Sequence, residues 1–98
     1  MNLFLKLENG KWNFTRKKHD ISFGIQYIFK FDNGYGASVI KTEHSYGFED
    51  DLWELAVLKN GGIDYDNPVA DGDVRGYLTD EEVNKLLKQI EQFKKGVE

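Results

Sequence analysis

The sequence predicts an α+β fold: a twisted, mostly antiparallel sheet of about four to six strands with one C-terminal helix packed on a face. Three observations carry this. Asn-Gly pairs recur at Asn9-Gly10, Asn33-Gly34 and Asn60-Gly61, each between runs rich in apolar residues. The segment from Ile21 to Phe31 alternates apolar and mostly polar residues. Residues 78–93 combine a helix start signal with apolar residues at helical spacing.

Asn-Gly favours type I′ turns because both residues tolerate positive φ and the turn matches strand twist. At the N-terminus, Leu3, Leu5 and Leu7 alternate with Phe4 and Lys6, and after Asn9-Gly10 come Trp12 and Phe14. They read as a hairpin, with a short helix over 2–8 as the alternative. Ile21, Phe23, Ile25, Tyr27, Phe29 and Phe31 then mark one apolar strand face. A two-residue loop at Asn33-Gly34 pairs Asp32 with Tyr35, and so sets Phe31 opposite Gly36, Phe29 opposite Ser38 and Tyr27 opposite Ile40. In that register Phe31 covers the backbone of Gly36, which makes the glycine structural. Residues 52–58, LWELAVL, are apolar on both faces apart from Glu54, as a central strand covered by a helix requires. Asn60-Gly61-Gly62 turns the chain into a short strand at Ile63-Asp64-Tyr65. Pro68 and the Gly/Asp pattern make 66–76 an irregular loop.

The last element is a helix. Thr79 is its N-cap and Glu82 its N3 residue, a capping box, with Leu78 and Val83 as hydrophobic staple. Val83, Leu86, Leu87, Ile90 and Phe93 give one apolar stripe that suits packing across the sheet. Lys94 and Lys95 match the C-terminal dipole, and Gly96 suits C′.

A chain of 98 residues, 40% hydrophobic and 14% aromatic, supports a single domain over 1–98 with one core. The absence of cysteine excludes a disulfide scaffold, a thiolate metal site and a Cys nucleophile. The N-terminal residues lack a basic region and long apolar run, and no segment approaches about 18 apolar residues, so the expectation is a soluble cytoplasmic protein. A net charge of −4 argues against general nucleic-acid or anionic-membrane binding. The basic run Arg16-Lys17-Lys18-His19 reads as a solvated loop between strands. The acidic middle (Glu43, Glu49, Asp50, Asp51, Glu54, Asp64, Asp66, Asp71 and Asp73) suits a basic protein partner.

His44 stands beside Ser45 and near carboxylates, a superficial base–nucleophile pair. Adjacent residues on an extended chain point apart, and no oxyanion-hole motif accompanies them, so they read as loop polar residues. Asp64, Asp66, Asn67, Asp71 and Asp73 crowd oxygens in the manner of a cation site. With Asp64 first, however, an EF-hand count puts Val69 where the loop needs glycine and Arg75 where it needs glutamate. Asx-capped turns explain the same residues, and no cofactor or metal is assigned. Tyr35, Tyr46 and Phe48 bring large contact area at low entropy cost. With His44 and the rim Glu49-Asp50-Asp51 they form the candidate partner-binding set.

The blocks NGYGASVI, SYG, LWELAVL and GYLTDEEVNKLL, in that order over residues 21–93, resemble a group of small, mostly uncharacterised proteins encoded in phages and prophages of Gram-positive bacteria. The resemblance implies no catalytic residues. It implies a phage-derived, non-enzymatic protein that binds a host protein, such as a defence nuclease, in the manner of anti-CRISPR inhibitors. A small metal-dependent or hydrolytic enzyme, and an assembly protein that dimerises through an edge strand, are the alternatives.

Overall fold

A computed structural model describes residues 24–64, 67, 69 and 74–93, with the backbone of 13–18. Six strands form one antiparallel sheet: β1 (Asn13–Lys18), β2 (Gly24–Lys30), β3 (Tyr35–Thr42), β4 (Trp53–Lys59), β5 (Gly62–Ile63) and β6 (Arg75–Leu78). One helix, α1 (Asp80–Glu91), follows. The order is β1-β2-β3-β4, and the far edge of β4 is shared by β5 at one end and β6 at the other. The α+β architecture is the one the sequence predicts. The proposed strand at Leu3–Leu7 and the Asn9-Gly10 turn lie outside the described residues.

The strand LWELAVL is central. Trp53, Leu55 and Val57 are buried on the face that α1 covers, together with Ile25, Tyr27 and Phe29 of β2 and Ala37 and Val39 of β3. Val83, Leu87 and Ile90 close this core from the helix, with Phe93 partly buried against it. Each fully buried valine, leucine, isoleucine or phenylalanine among them contributes about 1.5–3 kcal/mol by leaving water. The opposite sheet face carries Ile28, Ile40, Ala56 and Leu58 along an open groove of about 1040 Å³.

Two readings of the first strands need correction. Arg16, Lys17 and Lys18 belong to β1, paired with Tyr27, Gln26 and Ile25, and do not form a loop. Within the described sheet β1 is an edge strand. The second correction is the register of the β2–β3 hairpin. Lys30, not Phe31, faces Gly36; Phe29 faces Ala37, Ile28 faces Ser38 and Tyr27 faces Val39. The loop is Asp32-Asn33-Gly34, one residue longer than expected. The Phe31 N–H donates to the Tyr35 carbonyl at 2.9 Å and the Gly34 N–H to the Phe31 carbonyl at 3.3 Å. Gly34 takes the left-handed conformation (φ 87°), whereas Asn33 is not among the positive-φ residues. This is a type I turn closed by a glycine bulge, the usual three-residue solution. The slip of one residue puts Ala37 and Val39, rather than Ser38 and Ile40, in the core. Gly36 is still structural, for a different reason: a Cβ there would lie 2.2 Å from the Phe29 carbonyl oxygen.

Asn60-Gly61 does form the expected two-residue loop, with φ of 52° and 89° and Lys59 paired with Gly62. The following strand is short, Gly62–Ile63, though the Asp64 N–H extends its ladder to the Val57 carbonyl at 2.8 Å. Tyr65, Asp66, Pro68 and 70–73 lie outside the described residues. Asn67 caps locally, donating to the Asp64 carbonyl and accepting from the Val69 N–H, which buries Val69 in the core. Arg75 and Gly76, expected in this loop, instead open β6.

The capping box of α1 is present: the Glu82 N–H donates to Thr79 Oγ1 at 3.1 Å and the Thr79 N–H to Glu82 Oε1 at 2.9 Å. Leu78 and Val83 are both buried in the core, as their staple role requires. The helix ends at Glu91 with Gln92 as its C-cap, before the expected stop at Gly96; Lys94, Lys95 and Gly96 lie outside the described residues. The end carbonyls find an unexpected partner. Asn33 Nδ2 donates to the carbonyls of Ile90, Glu91 and Phe93 at 2.9, 3.2 and 3.1 Å. Its Oδ1 accepts the Tyr35 N–H at 2.9 Å. One side chain therefore closes the turn and caps the helix.

Asn33→Ala is expected to lower unfolding free energy by about 1–2 kcal/mol in chemical denaturation, since it orphans carbonyls and an amide together. Asn33→Asp keeps the turn acceptor but loses the donor and adds negative charge at the helix C-terminus. It should be at least as destabilising as Asn33→Ala.

Candidate functional site

The loop that joins β3 to β4 is built by short-range bonds. Ser45 Oγ donates to the Thr42 carbonyl at 2.9 Å and accepts the Thr42 N–H at 3.0 Å. The His44 N–H donates to Thr42 Oγ1 at 3.3 Å. Gly47, left-handed at φ 94°, turns the chain into a single 3₁₀ turn at Phe48–Asp50, and its carbonyl accepts the N–H groups of Asp50 and Leu52. The loop is thus a folded unit held by short-range bonds, with the Tyr46 backbone reaching out to Glu54 and Tyr77. It also leaves Ser45 buried, its hydroxyl engaged by Thr42 as donor and acceptor, while His44 is exposed.

β6 meets this loop through a β-bulge. Trp53 pairs with Leu78 and Leu55 with Arg75, so Gly76 and Tyr77 together oppose Glu54. Tyr77 occupies the left-handed region at φ 58°. Such a conformation costs an aromatic residue of order 1–3 kcal/mol and re-aims its side chain. Two glycines allow the close approach. A Cβ on Gly76 would lie 2.5 Å from Tyr46 Cβ, and one on Gly47 would lie 3.0 Å from Tyr77 Cα. Each glycine makes room for the other element's tyrosine. Glu54, the one polar residue expected to interrupt the central strand, accepts the Tyr46 N–H at 2.7 Å and draws the loop down.

The result is a cleft of about 240 Å³ lined by Tyr46, Phe48, Tyr77, His44, Glu49 and Asp50, among others. Tyr46 and Tyr77 are 58% and 60% exposed, the most exposed large apolar side chains in the described structure beside Ile63. Five of the seven residues expected to bind a partner, His44, Tyr46, Phe48, Glu49 and Asp50, therefore come together here.

The other two do not. Tyr35 begins β3 and the loop follows its end, so at about 3.4 Å per residue they stand roughly 24 Å apart. Tyr35 packs edge-on against Phe93, ring centroids 5.0 Å apart, with Lys59 Nζ above it. Asp51 pairs with Lys41, its Oδ1 3.1 Å from Nζ. Lys41 is buried and lies 4.3 Å from the centre of the Trp53 ring, so Asp51 serves to balance a cation at the end of the core. Tyr77 lies outside the set expected from the sequence, because it falls between the loop read over 66–76 and the helix signals that begin at Leu78. No group of three or more His, Asp or Glu residues able to hold a metal ion occurs among the described residues. No helix among them is long and apolar enough to cross a membrane.

Two outcomes test this construction. Tyr77→Asn places a residue tolerant of the left-handed region on the bulge and removes few contacts, so stability in denaturant should be unchanged or higher by up to about 1 kcal/mol. At the buried cation, Asp51→Ala leaves Lys41 without its counter-charge, whereas Lys41→Met removes the charge and keeps an apolar stem over Trp53. Asp51→Ala should be the more destabilising, by about 1–3 kcal/mol, with the partial exposure of Asp51 holding the loss below that of a fully buried pair.

Comparison with family models, with curated proteins and with solved structures returned no match for this chain.

Proposed function

We propose that the protein is a non-enzymatic binding protein of phage origin, acting in the cytoplasm of a bacterial host. It engages a host protein with a basic surface, such as a defence nuclease, through the cleft of Tyr46 and Tyr77. One observation carries the reading. Two tyrosines stand more than half exposed on either side of an acid-rimmed cleft, one of them held there by strained backbone on a bulge. Exposed aromatics on a rigid frame are the usual anchors of protein interfaces, and a rim of like charge steers a partner of opposite sign. Binding rather than catalysis is favoured because the hydroxyl of Ser45, the residue next to His44 in the chain, is spent on the Thr42 backbone.

The test is affinity capture from host lysate with the full chain as bait. Capture of a defined host protein is expected. It should fall at least tenfold for the combined variant Tyr46→Ala, Glu49→Lys, Asp50→Lys, with thermal melting confirming that the variant is folded. Undiminished capture by that variant would sink the proposal.

A further inference from the structure

We infer that the cleft between Tyr46 and Tyr77 receives a single arginine side chain from the partner, an assignment that rests on the binding role proposed above. Size is the first ground. At about 240 Å³ the cleft lies below the roughly 300–1,000 Å³ of pockets that enclose whole small molecules, so it suits one side chain of a larger partner.

Charge is the second. Glu49 and Asp50 line the cleft and are exposed, and no lysine or arginine among the described residues lines it. The cations nearest in sequence are used elsewhere. Lys41 is buried on Trp53 and paired with Asp51, and Arg75 Nη1 donates to the Val69 carbonyl at 2.9 Å. The described surface therefore offers acceptors in the cleft, and none of its described cations lines it.

The third ground selects arginine over lysine. A guanidinium is planar, stacks on aromatic faces and forks onto a carboxylate, and it sheds water more readily than an ammonium. Tyr46 and Tyr77 supply the faces, and Glu49 and Asp50 the carboxylates. A neutral polar side chain would use the rings but not the charges. An ammonium would use the charges without the planar match.

The probe is the peptide acetyl-Gly-Arg-Gly-amide, titrated into the isotope-labelled full chain and followed by amide chemical shifts. Two further peptides carry lysine or the neutral isostere citrulline in place of arginine. Saturable shifts are expected at 45–50 and 76–78 with arginine, and about tenfold weaker binding with either replacement. Tyr77→Asn should weaken the arginine peptide similarly while leaving the rest of the spectrum in place. Equal response to citrulline, or shifts scattered over acidic residues outside the cleft, would overturn the inference. Host capture that still depends on Tyr46 while the arginine peptide leaves the cleft unmoved sinks the arginine assignment and spares the binding role. Capture indifferent to Tyr46 and Tyr77 removes both.

Discussion

The structure turns on the indole of Trp53. Its Nε1–H donates to Asp80 Oδ1 at 2.6 Å, tying the central strand to the first turn of the helix. Its ring meets the edge of Tyr27, centroids 5.8 Å apart, which fixes β2 relative to β4. Lys41 Nζ sits over the same ring and reaches outward to Asp51 at the loop's far end. Strand, helix and loop are thus referred to one buried side chain. An aromatic of this size, fully buried with its one donor satisfied, combines hydrophobic and directional terms that no smaller residue offers. The charge above it is tolerable because the ring quadrupole and Asp51 both compensate it.

The candidate site draws its rigidity from that arrangement. Its loop begins two residues after Lys41 and ends one residue before Trp53, so both ends are anchored in the core. Between them Glu54 and the paired glycines press the loop against β6. Tyr77 precedes Leu78 and Thr79, the staple and cap of the helix, so the bulge sits on a segment that cannot drift. Preorganisation of this kind lowers the ordering cost of binding. The larger groove on the sheet face opposite α1 lacks the pair of exposed tyrosines and the Glu49-Asp50 rim, which is why the smaller cleft is favoured.

Much of the architecture was legible because it obeys local rules. The Thr79–Glu82 box, the stripe from Val83 to Ile90, the central position of LWELAVL and the Asn60-Gly61 turn all follow from spacing and turn chemistry. What escaped was governed by distant contacts. Asn33-Gly34 looks identical to Asn60-Gly61 at the dipeptide level, yet its amide is drawn to the end of the helix, and the loop lengthens by one residue. Gly76 looks like loop punctuation until Tyr46 is seen packed against it. The site was legible as a contiguous run from His44 to Asp50. Tyr77 was not, because only the bulge brings it there. Tyr35 and Asp51 stand apart from the cleft for the converse reason, since Phe93 and Lys41, which the local sequence does not announce, engage them.

The double duty of Asn33 has a kinetic meaning. Its bond to Tyr35 spans two residues and can form as soon as the hairpin closes, on a microsecond scale. Its bond to Ile90 spans 57 residues and must await docking of the helix. The same amide group therefore reports on an early and a late stage of folding, one through its oxygen and the other through its nitrogen. A residue that reads as turn punctuation thereby acts as the clasp between the β2–β3 hairpin and the helix α1.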